Sequence, residues 1–481
     1  MRRYELRDIL AGTGGEYSTE LPDQPVFLTL ERDSRHIKPG DVYIAVKGET
    51  HDGHTFVPHA IENGASAAIV SREWASAHPD INLPLILVDE PVAALQRWAA
   101  WRRNQLDCRV VGITGSVGKT SAKESIAAVL SQRFRVYKSP GNFNNEIGLP
   151  LSLLDCPDDV EVLVLEMGGA FAFGELTLLS SIARPDVAVV TNIYPVHIER
   201  MGSLEAIAQT KQELVEAIPE DGLVVLNADD ARVRNMIAAA KGRVIMYGVE
   251  EPAEIRASDV VTDGLAGTIF RLEIDGKESS IEVPFVGAPA VQIAIVAFAV
   301  GYGFGMDVSE MLVGLQDPQV QVRLLFVPGP NGSQLIDDTY NASTPSVLGA
   351  LGLLEQIPAK RRIAVLGEMR ELGPIAENEH RVIGGRAGDI VDVLVGYGDL
   401  SRITLEEACL SERPEGRPLE THNFGLDQRE ELVTFLRSEL REGDIALIKG
   451  AHGLWMNTIV DEIRPDASGE PQVGSGDGPA E

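Results

Sequence analysis

The segment Val110-Val111-Gly112-Ile113-Thr114-Gly115-Ser116-Val117-Gly118-Lys119-Thr120-Ser121 constrains this chain more than any other: an apolar strand runs into a glycine loop, a Lys-Thr pair and a helix. That order is a phosphate-binding loop in its proper context. Glycines let successive backbone N–H groups turn inward around a polyphosphate, and the helix N-terminus adds partial positive charge. Lys119 then reaches the β- and γ-phosphates, and the Thr120 hydroxyl can hold Mg²⁺. The strict pattern wants glycine at position 113, where this chain has Ile113, so the loop is a variant.

The surroundings suit such a loop. Strand-like runs at Val110–Thr114, Glu161–Glu166, Val187–Asn192 and Leu223–Asn227 alternate with helical stretches from Arg109 to about Asp317, which predicts a mainly parallel sheet covered by helices. Residues 1–88 read as a small α/β unit, with strands at Val42–Val46 and Ala67–Val70 and a helix near Phe56–Asn63. An amphipathic helix from Val92 to Leu106, rich in Ala, Trp and Arg, reads as an interdomain connector. A third alternating segment, about Pro318 to Ile463, places strands at Ile363–Leu366, Val391–Val395 and Ile445–Ile448 and forms a second doubly wound unit. The expected division is therefore 1–88, 89–317 and 318–464. A Gly-, Pro-, Ser- and acid-rich stretch, 465–481, is expected to be a disordered tail. The 481 residues fit two to four domains at roughly 100–200 residues each, and 44% hydrophobic residues can supply their cores.

Forty-two Lys and Arg against 72 Asp and Glu leave a net charge of −30, which excludes a basic nucleic-acid binder. Cys108, Cys156 and Cys409 lie far apart with no CxxC pair, which argues against a disulfide framework or a zinc ribbon and for a reducing, cytoplasmic setting. Met1-Arg2-Arg3-Tyr4-Glu5-Leu6 lacks the apolar core of a signal peptide. Val286–Met306 is uncharged and long enough on paper to span a membrane. It contains Pro289, Gln292 and four glycines and is flanked by Glu282 and Asp307, so it reads as a buried helix of a soluble domain, with no membrane insertion.

Metal chemistry belongs at the carboxyl ends of the strands beside the loop. Glu166 ends the run Val162-Leu163-Val164-Leu165, where a carboxylate suits a hard cation. His197 follows the next strand, in the loop Tyr194-Pro195-Val196-His197-Ile198-Glu199. Read alone, each is more often an ordinary loop group. Lys211 is less ordinary: in a helix from Ser203 to Ile218 it falls on the stripe of Leu204, Ile207, Leu214 and Ile218. Desolvation there favours the neutral amine, which can take up CO₂ as a carbamate. On spacing alone, a lysine snorkelling at the edge of the stripe is the favoured alternative.

Together these residues resemble the Mur ligases, and within them the branch that joins D-alanyl-D-alanine to UDP-N-acetylmuramoyl-tripeptide. The resemblance runs from about Phe27 to Val460. Asp33-Ser34-Arg35, Pro39-Gly40-Asp41 and Lys47-Gly48-Glu49-Thr50-His51-Asp52-Gly53-His54 look like the segment that holds the UDP end of the substrate. Thr114 to Thr120 looks like the ATP loop, including its missing first glycine. Gly141-Asn142-Phe143-Asn144-Asn145-Glu146-Ile147-Gly148 is similar to the family's Asn-rich substrate loop. Glu166 and His197 match its magnesium ligands and Lys211 its carbamylated lysine. Arg323 looks like the arginine that reaches the γ-phosphate from the C-terminal domain. Asp337-Asp338-Thr339-Tyr340-Asn341-Ala342-Ser343 resembles the hinge motif of the D-Ala-D-Ala-adding branch, and Gly367-Glu368-Met369-Arg370-Glu371-Leu372-Gly373 is close to that branch's pattern.

The resemblance implies a three-domain Mur ligase architecture: a central P-loop parallel-sheet domain, a Rossmann-like C-terminal domain and a small α/β N-terminal domain. It implies a cytoplasmic, monomeric enzyme of peptidoglycan precursor synthesis that uses ATP and Mg²⁺. Its substrates would be UDP-MurNAc-tripeptide and D-Ala-D-Ala, joined through an acyl phosphate with Lys119, His197, Lys211 and Arg323 at the reacting groups. Nucleotide contacts would come from Thr114, Gly115, Ser116, Val117, Gly118, Lys119, Thr120, Arg323, Asp338, Tyr340 and Asn341. Metal contacts would come from Thr120, Glu166, His197 and Lys211. Substrate contacts would come from Ser34, Arg35, Lys47, Gly48, Asp52, His54, Asn142, Asn144, Asn145 and Lys449. Two segments depart from the pattern. Gly287-Ala288-Pro289-Ala290-Val291-Gln292-Ile293 stands where the family usually has His-Asn-x-x-Asn, so adenine recognition must differ or rest on Gln292 and backbone groups. Lys449-Gly450-Ala451-His452 replaces the usual Lys-Gly-Ser-Arg. A Mur-type ligase with another acceptor, and a non-catalytic nucleotide-binding paralogue, are the alternatives.

Overall fold

Strands that are apolar along their whole length can be covered on both faces, and those of the middle third of this chain are. In the computed structural model, which describes residues 2–48, 51–169, 172–263, 267–286, 288–317, 325–413 and 417–465, every residue of Val162–Glu166, Val187–Val190 and Leu223–Asn227 is buried. They belong to a nine-stranded central sheet ordered Lys277–Val283, Gly267–Ile274, Ile255–Asp263, Arg243–Gly248, Leu223–Asn227, Val187–Val190, Arg109–Thr114, Val162–Glu166, Val136–Lys138. The two-residue period of the strands sends Val110, Leu163 and Ala188 into one core and Val111, Val162 and Val187 into the other. The phosphate-loop strand sits between Val187–Val190 and Val162–Glu166, with Ile113 opposite Glu166 and Thr114 opposite Val190. Three candidate segments thus emerge from adjacent strand tips.

The sheet is not uniformly parallel. Pairing is parallel from Ile255–Asp263 across to Val136–Lys138, while Gly267–Ile274 and Lys277–Val283 are added as an antiparallel meander. Reading the whole segment as strand–loop–helix repeats missed this hairpin. Its signal is local: Asp275 and Gly276 both have positive φ, 53° and 69°, as a type I′ turn demands, after the alternating Phe270, Leu272 and Ile274.

The N-terminal sheet is ordered Arg3–Glu5, Phe27–Glu31, Asp41–Ile44, Ala67–Ser71, Leu85–Val88, Glu16–Tyr17, parallel inside and antiparallel at both edges. The helix expected near Phe56 is Val57–Glu62, preceded by a 3₁₀ turn over Gly53–Phe56. The helix expected over Val92–Leu106 spans Pro91–Arg103; Glu90 caps it by accepting from the N–H groups of Val92 and Ala93 at 2.9 and 2.6 Å. It ties two units together. Trp98, fully buried, meets Tyr4 of the N-terminal sheet edge-on at 5.0 Å, while Arg102 and Arg103 donate to the carbonyls of Cys156 and Ala183 in the central unit, each at 2.8 Å. The C-terminal sheet is ordered Leu325–Pro328, Gln334–Asp337, Asp444–Lys449, Arg361–Gly367, Val393–Tyr397, Glu420–Phe424, parallel except for its first pair. Arg323 and residues 466–481 lie outside the described residues, as do Gly287 and the side chains of Ala288 and Pro289.

The apolar stretch at Val286–Met306 contributes the helix Ala288–Gly303, which packs on the phosphate-loop helix Lys119–Leu130. No helix among the described residues is long and apolar enough to cross a membrane. The following helix, Val308–Leu315, approaches Lys119–Leu130 so closely at Gly314 that a Cβ there would lie 2.6 Å from the Ala128 carbonyl oxygen. Gly314→Val should therefore lower the unfolding free energy by about 1–3 kcal/mol, the range for overpacking, read from the urea midpoint at unchanged slope.

Candidate nucleotide and metal site

The loop after Arg109–Thr114 has the backbone that its glycines permit. Gly115 and Gly118 lie at φ 145° and 80°, and Gly118 opens the helix Lys119–Leu130. The neighbouring strand end holds the loop in shape. Asn192 accepts from the Ser116 and Val117 N–H groups through its backbone and side-chain oxygens, at 3.0 and 2.8 Å, and Thr191 Oγ1 donates to the Val117 carbonyl at 2.9 Å. Lys119 folds back over the loop, its Nζ donating to the Gly115 carbonyl at 2.8 Å, and Thr114 Oγ1 donates to the Gly168 carbonyl at 3.1 Å. Sequence reading did not single out Thr191 or Asn192.

Glu166 is the junction of the site. Only 2% exposed at its strand tip, its carboxylate accepts from Thr120 Oγ1 at 2.7 Å and from Asn144 Nδ2 at 2.8 Å, joining phosphate loop and Asn-rich loop. Asn145 turns elsewhere, accepting from the Gly148 N–H at 2.8 Å at the start of Gly148–Asp155, and Asn142 is exposed. A hydroxyl and a carboxylate are hard oxygen donors, which fits Mg²⁺. Among the described residues no three His, Cys, Asp or Glu side chains converge as a protein-only metal cage.

Lys211, on the helix Leu204–Glu216, is 3% exposed and donates to the Gly168 and Gly169 carbonyls at 2.7 and 2.5 Å. Burial, reinforced by the Lys119 charge, pulls its pKa down to about 7. The ammonium does not snorkel. His197 takes the left-handed conformation, φ 57°, at the start of the turn Ile198–Met201, and its Nδ1 pairs with the carboxylate of Glu371 from the C-terminal sheet's loops. Burial lowers its pKa and Glu371 opposes that shift, while Lys119 and Lys211 add to it, so the imidazole and the two lysines share one neighbourhood. Lys123 was missed. Fully buried one turn beyond Lys119, it donates to the Ser139 and Gly141 carbonyls at 2.8 and 2.7 Å, and its pKa is lowered by burial against the opposing pull of Glu166. The sign that marked Lys211, a lysine among the buried positions of a helix, was present there as well.

The remaining candidates lie in the outer units. Lys449, 2% exposed, donates to Asp338 Oδ2 at 2.6 Å and to the Asn341 carbonyl at 2.8 Å, so its ammonium is committed within the hinge motif. The His452 N–H donates to Asn341 Oδ1 at 3.3 Å, and its ring meets Tyr340 edge-on at 5.4 Å. In the N-terminal unit, the backbones of Lys47 and Asp52 form an isolated antiparallel bridge, the Gly48 N–H donates to the His51 carbonyl, and the Asp52 carboxylate pairs with His54 Nδ1 at 2.7 Å. Ser34 pairs with His59 at 2.9 Å, and Arg35 holds the Asp33 carboxyl down to about 2. Arg32 lies over the Phe143 ring at 5.1 Å, so this unit touches the Asn-rich loop. In the altered segment, Gln292 Nε2 donates to Asp229 Oδ2 at 2.8 Å, and its buried Oε1 has no partner among the described residues.

A Cβ on Gly115 would meet Thr191 Oγ1 at 2.0 Å, at a φ that L side chains rarely adopt. Gly115→Ala should weaken ADP binding at least about tenfold by displacing the loop N–H groups, as measured by calorimetric titration.

Three family profiles match the chain: "Mur ligase family, catalytic domain" over residues 29–103, "Mur ligase middle domain" over 113–301, and "Mur ligase, glutamate ligase domain" over 322–452. The chain is 33% identical to the UDP-N-acetylmuramoyl-tripeptide–D-alanyl-D-alanine ligase of Bacillus subtilis, covering 96% of this chain and 99% of that one. It is 34% identical to the Escherichia coli enzyme of the same name, over 96% and 98%. A crystal structure of MurF from Acinetobacter baumannii superposes with a TM-score of 0.83 at 26% identity, covering 96% of this chain and 99% of that one. MurF of Thermotoga maritima in complex with ADP gives 0.76 at 27%, over 90% and 96%. The chain belongs to the Mur ligase family, and within it to MurF, an ATP-dependent enzyme that forms amide bonds.

Proposed function

We propose that this enzyme joins D-alanyl-D-alanine to UDP-N-acetylmuramoyl-tripeptide in cytoplasmic peptidoglycan precursor synthesis, acting as a monomer. The observation that carries the reading is the junction at Glu166, where phosphate loop and Asn-rich loop meet above a buried lysine. The tripeptide carboxylate attacks the γ-phosphorus of ATP, ADP leaves, and an acyl phosphate forms. The dipeptide amine then attacks the acyl carbon, inorganic phosphate leaves, and the nitrogen loses its proton.

The loop N–H groups and Lys119 bind the polyphosphate and offset its charge, and Arg323 is assigned to the γ-phosphate. Thr120, Glu166 and His197 are the residues that would hold Mg²⁺, which supplies positive charge at the transferring phosphoryl group. Lys211 adds the fourth donor as a carbamate: its neutral amine attacks CO₂, a C–N bond forms and one proton is released. Asn144 and the loop around Lys47, Asp52 and His54 orient the UDP-peptide. Asp338, Tyr340 and Asn341 bring the C-terminal unit to the nucleotide, and its closure excludes water from the acyl phosphate. On a chain of net charge −30 these cationic groups must act within ~8–10 Å, about a Debye length. Gln292, held by Asp229 with its carbonyl oxygen uncommitted, is assigned to the adenine amino group.

Phosphate release from ATP should require both UDP-MurNAc-tripeptide and D-Ala-D-Ala and should be lost in Lys211→Ala; release without the dipeptide would point to another acceptor, and none with either to a non-catalytic paralogue. With a pKa of about 7, the neutral fraction of Lys211 rises from about a tenth at pH 6 to about nine tenths at pH 8. The ¹³C signal of a carbamate formed from labelled CO₂ should grow over that interval and be absent in Lys211→Arg. Gln292→Ala should raise the KM for ATP about three- to tenfold, one hydrogen bond's worth, and lower the preference for ATP over GTP.

A further inference from the structure

The loop Gly367–Gly373 belongs to the C-terminal unit yet meets the central one at a seam, residues 197–200. Its own unit anchors it. The Glu368 N–H donates to the Tyr397 carbonyl at 3.0 Å and the Met369 N–H to His380 Nε2 at 3.0 Å, so the loop that carries Glu371 is anchored to the C-terminal unit. At the seam, Glu371 has φ 61° and uses three groups at once. Its carbonyl accepts from the Glu199 N–H at 3.3 Å, one carboxylate oxygen lies 3.4 Å from the Arg200 guanidinium, and the other pairs with His197 Nδ1. Gly373 makes the approach possible: a Cβ there would lie 3.2 Å from the Glu199 Cβ, at φ 49°. On the far side, the His197 loop is tied to the phosphate loop by Ser116 Oγ, which donates to the Tyr194 carbonyl at 3.0 Å and accepts from its N–H at 2.9 Å.

We propose that Glu371 is a cross-domain positioning residue: docking of the C-terminal unit delivers its carboxylate to His197, fixing the imidazole so that Nε2 faces the metal site and coupling domain closure to metal affinity. A carboxylate only accepts, so Nδ1 must carry the proton and Nε2 keeps its lone pair. When the C-terminal unit swings away, the imidazole loses that partner and both tautomer and ring orientation are released. By linkage, metal and nucleotide favour the docked state as much as docking favours the metal. The inference rests on His197 being a metal ligand, as the proposed function holds.

The test is Mn²⁺ binding, followed by electron paramagnetic resonance, to the full chain saturated with a non-hydrolysable ATP analogue. Glu371→Ala should weaken Mn²⁺ binding about tenfold, the scale of a lost outer partner. Metal-free nucleotide affinity and thermal midpoint should stay unchanged, and Glu371→Gln, whose amide oxygen still accepts from Nδ1, should stay within about threefold of the parent. Gly373→Val, which wedges the seam without touching His197, should produce the same loss, and the double variant should be no weaker than either alone. Parental Mn²⁺ affinity in Glu371→Ala, with His197→Ala impaired, overturns the positioning role. Losses that multiply in the double variant overturn its link to docking. Parental affinity in His197→Ala overturns both this inference and the ligand assignment.

Discussion

The hydrogen bonds that converge on the Glu166 carboxylate organise this enzyme. A carboxylate that is 2% exposed must be satisfied where it stands, and it is satisfied by Thr120 from the phosphate loop, Asn144 from the Asn-rich loop and the nearby charge of buried Lys123. Removing any partner would leave a buried acceptor short, so the three segments are held in one arrangement. The sheet makes that arrangement available, because Arg109–Thr114 and Val162–Glu166 are adjacent parallel strands whose carboxyl ends open side by side.

Positive charge gathers beneath this junction. Burial lowers the pKa of both Lys211 and His197 and the Lys119 charge adds to each shift, while Glu371 opposes the one at His197. The overall charge of −30 does not cancel this local charge at close range, because Lys211 is buried and screened little by salt. The C-terminal unit enters the same field through Glu371, an acid brought to the one histidine of the cluster.

Much of this was legible beforehand, for identifiable reasons. Phosphate loops need glycine at positions of positive φ followed by Lys-Thr, so Gly115, Gly118, Lys119 and Thr120 announce themselves through local rules, whereas Glu166, read alone more often an ordinary loop group, was singled out by the family resemblance. Lys211 was visible through the helical period, but spacing alone favoured a snorkelling lysine and only the family resemblance argued otherwise; its bonds to the Gly168 and Gly169 carbonyls show that it is buried. Thr191, Asn192 and Lys123 were passed over because their tasks are to brace backbone in segments distant in sequence. The Asp275–Gly276 hairpin was overlooked although its turn residues and alternation were present, because the surrounding strand–helix rhythm dominated the reading.

Sequence alone determined the fold class, the family and the phosphate loop, because period, turn chemistry and motif spacing are properties of contiguous residues. Tertiary structure decided what each polar group is bonded to. Lys449 is committed to Asp338, Gln292 is oriented by Asp229, and His197 is claimed by Glu371, three pairings between residues 111, 63 and 174 positions apart. Such pairings are set by how sheets pack and dock, and a hydrogen bond is specified by positions to within tenths of an ångström, which no pattern along the chain encodes.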